Sequence, residues 1–84
     1  MDEEREVRKA ILKKLFKHRY IGGRHTEIRN AIKGLPQELL KEAKKQTAIL
    51  IKENYLLAKP STGEIHVSLN PRRIKEIINE ITDS

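Results

Sequence analysis

The sequence predicts a mostly helical α+β domain in which four helices accompany one two-stranded hairpin. Three observations carry that expectation. Apolar residues recur at three- and four-residue spacing in four separate stretches, the period that gathers side chains on one face of a helix. One stretch, Glu64 to Leu69, alternates with a period of two instead. Between these stretches stand Gly-Gly, Gly-Leu-Pro, Ser-Thr-Gly and Asn-Pro, which interrupt regular structure.

Asp2 is placed to cap the first helix, with Glu3 and Glu4 in the first turn, where the helix dipole favours negative charge. Val7, Ile11, Leu12, Leu15 and Phe16 form its apolar stripe. Lys17, His18 and Arg19 fall in the last turn, and Gly22-Gly23 is expected to end the segment, since glycine reaches the left-handed conformation at no steric cost. Arg24-His25-Thr26 reads as a short extended link. Thr26 is the expected N-cap of a second helix, Glu27 to Lys33, with Ile28, Ala31 and Ile32 facing inward. About two turns of helix are unstable alone, so this one depends on packing.

Lys33-Gly34-Leu35-Pro36 then launches the third helix, Gln37 to Glu53. Gly34 stops the preceding helix, and Pro36 suits the first turn of the next because its missing N–H would be unpaired there. So short a glycine-containing turn makes the two helices cross steeply, the helix-turn-helix geometry. Leu39, Leu40, Ala43, Thr47, Leu50 and Ile51 gather on one side of the third helix. Gln37, Lys41, Lys44, Lys45, Ala48 and Lys52 gather on the other. The helix ends near Asn54, which tolerates the left-handed position.

Tyr55 to Pro60 reads as a strand, Ser61-Thr62-Gly63 as a turn, and Glu64 to Leu69 as the returning strand. Pro60 cannot donate to a ladder, so it is expected where the hairpin opens into its loop. Asn70-Pro71 is an N-cap followed by proline at the first helical position. Ile74, Ile77, Ile78 and Ile81 make the stripe of the fourth helix.

Eighty-four residues make one domain, 1–84, with room for one small core. No apolar run approaches the ~20 residues of a membrane span, so a cytoplasmic location is expected. Cysteine is absent, which excludes disulfides, thiolate metal sites and cysteine nucleophiles. The formal net charge is +6. Residues 1–18 carry +2, residues 19–36 carry +3, residues 37–54 carry +1 and the remainder balances. Such a surface attracts polyanions, although abundant Lys and Glu also characterise heat-tolerant proteins.

Helix, extended link, helix, turn, helix, hairpin, helix is the order of a winged-helix domain. The chain resembles small winged-helix proteins of archaea in Gly23-Arg24-His25-Thr26, Lys33-Gly34-Leu35-Pro36, Lys59-Pro60-Ser61-Thr62-Gly63 and Val67-Ser68-Leu69-Asn70-Pro71-Arg72-Arg73. The resemblance runs from about Gly22 to Arg73. It implies a winged helix-turn-helix fold and nucleic-acid binding, without naming a process.

In a helix-turn-helix the second helix of the pair enters the DNA major groove, its N-terminal part nearest the bases. That expectation places Gln37, Lys41, Lys44 and Lys45 at the groove, with Glu38 beside them. Gln37 suits adenine and Lys41 guanine, while Lys44 and Lys45 suit phosphates. The hairpin, as the wing, brings Lys59 near its tip, with Arg72 and Arg73 at its far end. Arg24, Arg29 and Lys33 flank the second helix as further phosphate contacts. A protein-interaction module inside a larger nucleic-acid-processing assembly and an RNA-binding module are the alternatives. Low aromatic content (Phe16, Tyr20 and Tyr55) disfavours single-stranded RNA.

His18, His25 and His66 show no close ligand spacing and fall on different elements, so no metal or other cofactor is expected. The serines lie in no nucleophile motif and the carboxylates are scattered, so no enzyme is expected. The apolar stripes of the terminal helices are expected to pack into the domain's own core. The alternative is a homodimer through those helices, which would present two third helices to neighbouring half-sites.

Overall fold

In the computed structural model, which describes residues 2–83, the chain is an α+β domain of four α-helices and one antiparallel three-stranded sheet. The elements run α1 (Glu3–Lys17), β1 (Thr26–Glu27), α2 (Ile28–Ile32), α3 (Leu40–Lys52), β2 (Leu56–Ser61), β3 (Glu64–Leu69) and α4 (Ile74–Thr82). Short 3-10 turns, Gln37–Leu39 and Pro71–Arg73, open α3 and α4. No helix is long and apolar enough to cross a membrane among the described residues.

The core forms where the stripes converge. Val7, Ile11, Leu12 and Leu15 of α1 meet Ala31 and Ile32 of α2, Ala43 and Leu50 of α3, Leu56, Val67 and Leu69 of the sheet, and Ile77 of α4. Thr47 is buried as well, its hydroxyl donating to the Ala43 carbonyl at 2.8 Å. The apolar side of α3 therefore faces inward as its spacing requires, with Leu39, Leu40 and Ile51 packed at the margin. Both terminal stripes are used here, and of them Ile78 remains exposed.

Several ends follow local chemistry. The Asp2 carboxylate accepts from the Arg5 N–H, and the Asn70 side chain accepts from the Arg72 N–H behind Pro71. At the end of α3, Asn54 takes φ +64°. The Tyr55 N–H reaches back to the Leu50 carbonyl and the Asn54 N–H to Ile51, each at 3.0 Å, closing the last turn.

The structure corrects other ends. α1 stops at Lys17, short of Gly22-Gly23, because Arg19 itself adopts φ 59°. The Tyr20 and Arg19 N–H groups bond the Leu15 and Phe16 carbonyls, the same closure as at Asn54. The Arg19 guanidinium also donates to the Phe16 carbonyl at 2.7 Å and lies over the Phe16 ring, which offsets the strained conformation. Gly22, at φ +63°, has a different task. Its N–H donates to the Leu69 carbonyl, its carbonyl accepts from Ser68, and a Cβ there would stand 3.3 Å from Pro71.

Thr26 does not cap α2. It pairs with Val67 in β1, making the hairpin a three-stranded sheet of order β1-β3-β2, and its hydroxyl accepts from the Asn30 amide. The N-cap position of α2 falls to Glu27, which makes no side-chain cap. Pro60 lies inside β2, opposite Ile65, and the strand continues to Ser61. β2 is an edge strand, where a missing donor is tolerated. The loop is Thr62-Gly63, with Gly63 at φ +73°.

Candidate functional site

The outward side of α3 and its opening turn is polar and accessible: Gln37, Glu38, Lys41, Lys44, Lys45, Ala48 and Lys52 are all exposed. Successive helix residues point ~100° apart, so neighbouring lysines here have different surroundings. Lys44 turns toward the hairpin and shares a hollow with Glu27 of β1, with Ile28 and Arg29 of α2 and with Ser61, Gly63, Glu64 and Ile65 at the hairpin tip. Lys45 turns toward α1 and meets Glu4 at 3.7 Å. Both partners are largely exposed, so that pair restrains Lys45 only weakly.

The flanking cations divide into free and engaged. Arg24 is exposed and lies 5.3 Å over the Tyr20 ring. Lys33 is exposed at the turn, and its carbonyl accepts from the Lys14 ammonium. Arg72 is exposed, and Lys59 is exposed on β2 directly opposite His66. None of these four side chains makes a carboxylate pair among the described residues. Arg29, in contrast, meets Glu27 at 2.9 Å and Glu64 at 3.6 Å. The Arg29 hydrogen bond, followed by the contact with Glu64, holds the Glu27 carboxyl below its usual range.

Arg73 is also engaged. It pairs with Glu76 at 3.3 Å, donates to the Glu53 carbonyl at 3.4 Å and stands 5.5 Å over the Tyr55 ring. These contacts fasten the start of α4 to the end of α3. A cation at a helix N-terminus is mildly unfavourable, and for Arg73 that cost is met from within the fold.

The fold adds residues that sequence reasoning did not single out. Lys13, Lys14 and Lys17 of the second half of α1 and His18 just beyond it line a groove with Lys33, Gly34 and Leu35 of the turn that leads to α3. Ala10 and Ala31 complete its lining, so no carboxylate among the described residues faces it. The signal was present but averaged away. The four acids of residues 1–18 all lie at positions 2–6, so the modest segment charge of +2 conceals a helix acidic at one end and basic at the other.

The histidines also differ from expectation. His18 stands apart from the other two, but the pairing of β1 with β3 brings His25 and His66 together, Nδ1 to Nδ1 at 2.8 Å. Spacing could not reveal this, because the contact spans 41 residues and depends on a two-residue strand.

Comparison of the chain with protein-family models, curated proteins and solved structures finds no match.

Proposed function

We propose that the chain is a winged helix-turn-helix protein that binds double-stranded DNA without chemistry, as a transcriptional regulator or genome-organising factor. In this reading α2 and α3 are the helix-turn-helix pair, α3 enters the major groove and the β2–β3 hairpin is the wing lying on the backbone. The element order supports it, as do the short turn at Lys33-Gly34-Leu35-Pro36 and the polar outer side of α3.

The observation that carries the proposal is the placement of cations without carboxylate partners. Lys33 marks the turn into α3, Lys13, Lys14 and Lys17 stand behind it, and Lys41 and Lys44 continue along the helix. Duplex DNA offers two parallel rows of phosphates on either side of a groove, and cations that flank a groove-reading helix match that pattern. Within the groove, Gln37 is assigned to adenine and Lys41 to guanine, with Lys44 and Lys45 on phosphates. Arg24, Lys59 and Arg72 supply outlying phosphate contacts. Arg29 and Arg73 contribute only after leaving their present partners.

With about six phosphate contacts, affinity falls about a thousandfold between 50 and 200 mM salt. Titration of duplex DNA at several salt concentrations tests this. A flat salt dependence, or no binding at low salt, defeats the proposal.

A protein-interaction module is the second reading, favoured by Leu57 and Ile65, which leave the hairpin with exposed apolar side chains. Neutralising Lys41, Lys44 and Lys45 separates the two. It abolishes binding through a DNA groove and leaves a complex made through the hairpin largely intact.

A further inference from the structure

The sheet register collects nitrogen and oxygen donors that are distant in the chain. Glu27 of β1 and His66 of β3 are direct cross-strand partners. Glu64 sits two residues before His66, on the same face of β3. One carboxylate oxygen from each glutamate and one ring nitrogen of His66 lie within 4.8 Å of one another. Behind them, His25 Nδ1 contacts His66 Nδ1 at 2.8 Å.

We propose that Glu27, Glu64 and His66 bind one divalent transition-metal ion of the zinc type, with His25 as the residue that orients His66. Two carboxylates brought this close repel unless a cation lies between them. Arg29 fills that role here, but its side chain is 81% exposed. A pair so open to water is weak, so the arginine is readily displaced by a compact double charge. Imidazole combined with carboxylate is a donor set that favours zinc and its neighbours over magnesium, which prefers oxygen alone.

The histidine contact fits the same chemistry. Two Nδ1 atoms at hydrogen-bond distance hold one proton between them, one ring donating and the other accepting. With His66 Nδ1–H as donor, its Nε2 keeps the lone pair that a metal requires. A ligating histidine is usually fixed through its other nitrogen in this way. Donor atoms around tetrahedral zinc stand about 3.4 Å apart, given bonds of about 2.0–2.1 Å. The donor atoms therefore close by at most about 1.4 Å, a movement open to glutamate side chains that are 38% and 44% exposed.

The site stands independently of the DNA reading, yet it has a consequence for it. Glu64 adjoins the Thr62-Gly63 loop and Glu27 adjoins α2, so a bound ion fastens the hairpin tip to the start of α2 beside Lys44. It also raises the local charge by two and releases Arg29.

Isothermal titration of the full chain with zinc, nickel and magnesium chlorides tests the proposal. Zinc and nickel are expected to bind one per chain in the micromolar range, and magnesium to bind far more weakly. His66→Gln and Glu64→Gln each weaken zinc binding about tenfold or more, His25→Phe weakens it about tenfold, and His18→Gln leaves it unchanged. In the wild-type chain, which needs no variant to fold, zinc is expected to shift the imidazole NMR signals of His66 and His25 and not those of His18. Absence of saturable zinc and nickel binding at about 100 micromolar ion, affinity that His66→Gln leaves within about twofold, or shifts confined to His18 each overturn the proposal.

Discussion

Two regions of this domain use cations in opposite ways. Where α1 meets α4 and the end of α3, arginines are matched to acids. Arg8 bonds Glu80 at 2.6 Å and Glu53 at 2.8 Å, Arg5 meets Asp83 at 2.9 Å, and Arg73 meets Glu76 at 3.3 Å. The Arg8 and Arg73 guanidiniums both lie over the Tyr55 ring. Where the second half of α1 meets the turn into α3, Lys13, Lys14, Lys17 and Lys33 have no carboxylate beside them among the described residues. The difference follows the chemistry of the two side chains. A planar guanidinium forks onto carboxylates and stacks on rings, while an ammonium remains a hydrated point charge that a phosphate can take up. Net charge alone would not distinguish a region that fastens helices from one open to a polyanion.

The largest expected effect lies on the open side. Exchanging Lys13, Lys17 and Lys33 together for Gln removes three of the cations that the proposed DNA binding sets against phosphates. That lowers duplex affinity about a hundredfold at 0.1 M salt and makes the salt slope shallower by about three. Stability should move by less than about 0.5 kcal/mol, because these side chains are solvated. Unchanged affinity in a filter-binding or fluorescence titration would break the comparison at its centre.

The matched side should respond in the opposite sense. Burial opposes the Arg8 charge, but its bonds to Glu80 and Glu53 outweigh that, so its pKa stands above the ordinary arginine value. Arg8→Met keeps an apolar stem against Tyr55 and leaves both glutamates without their partner. Loss of a buried partner costs about 3–5 kcal/mol. Glu53 retains much of its contact with water, which reduces the expectation here to about 2 kcal/mol. For a domain of this size that is a fall in melting temperature of about 10 °C. DNA affinity measured below the transition should not change. A variant that melts with the wild type would show that the network is ornamental to stability.

A smaller effect concerns association. Ile74, Ile77 and Ile81 of α4 and Val7, Ile11 and Leu15 of α1 all pack in or against the core, leaving Ile78, 38% exposed, from those stripes. One half-open isoleucine gives little surface for a two-fold interface. Sedimentation equilibrium at high micromolar concentration should therefore return a monomer, and Ile78→Lys should leave the result unchanged. A dimer dissociated by Ile78→Lys would restore the terminal helices as an interface.

What could be read in the sequence was what neighbours in the chain decide. The caps at Asp2 and Asn70, the left-handed Asn54 and the inward side of α3 each depend on residues within about four positions. Contacts closed by distant segments were not legible. β1 exists because Thr26 finds Val67, Arg29 gains its second carboxylate because the hairpin returns Glu64 to it, and the basic groove exists because the end of α1 meets Lys33. Arg19 shows a different failure. Glycine is the cheaper left-handed residue, so Gly22 seemed the natural stop, yet a ring and a carbonyl at Phe16 suffice to hold an arginine there.

The smallest effect comes from Glu27, the acid that turns Arg29 from a free cation into an engaged one. Its folded pKa lies below the usual 4.5, first through the hydrogen bond from Arg29 and next through Glu64. A depressed folded pKa contributes stability that is present above the unfolded value and disappears as pH falls through the folded one. The loss is therefore confined to pH below about 4.5 and should be slight, because Glu27 is open to solvent. Carboxyl-carbon NMR titration reads it directly: Glu27 should titrate below the usual glutamate value of 4.5, and Arg29→Ala should move its midpoint upward. A midpoint that stays in place would mean that Arg29 does not hold Glu27 in solution. Arg29 would then belong with Lys33 among the free cations, and the boundary between the two regions would move to the hairpin.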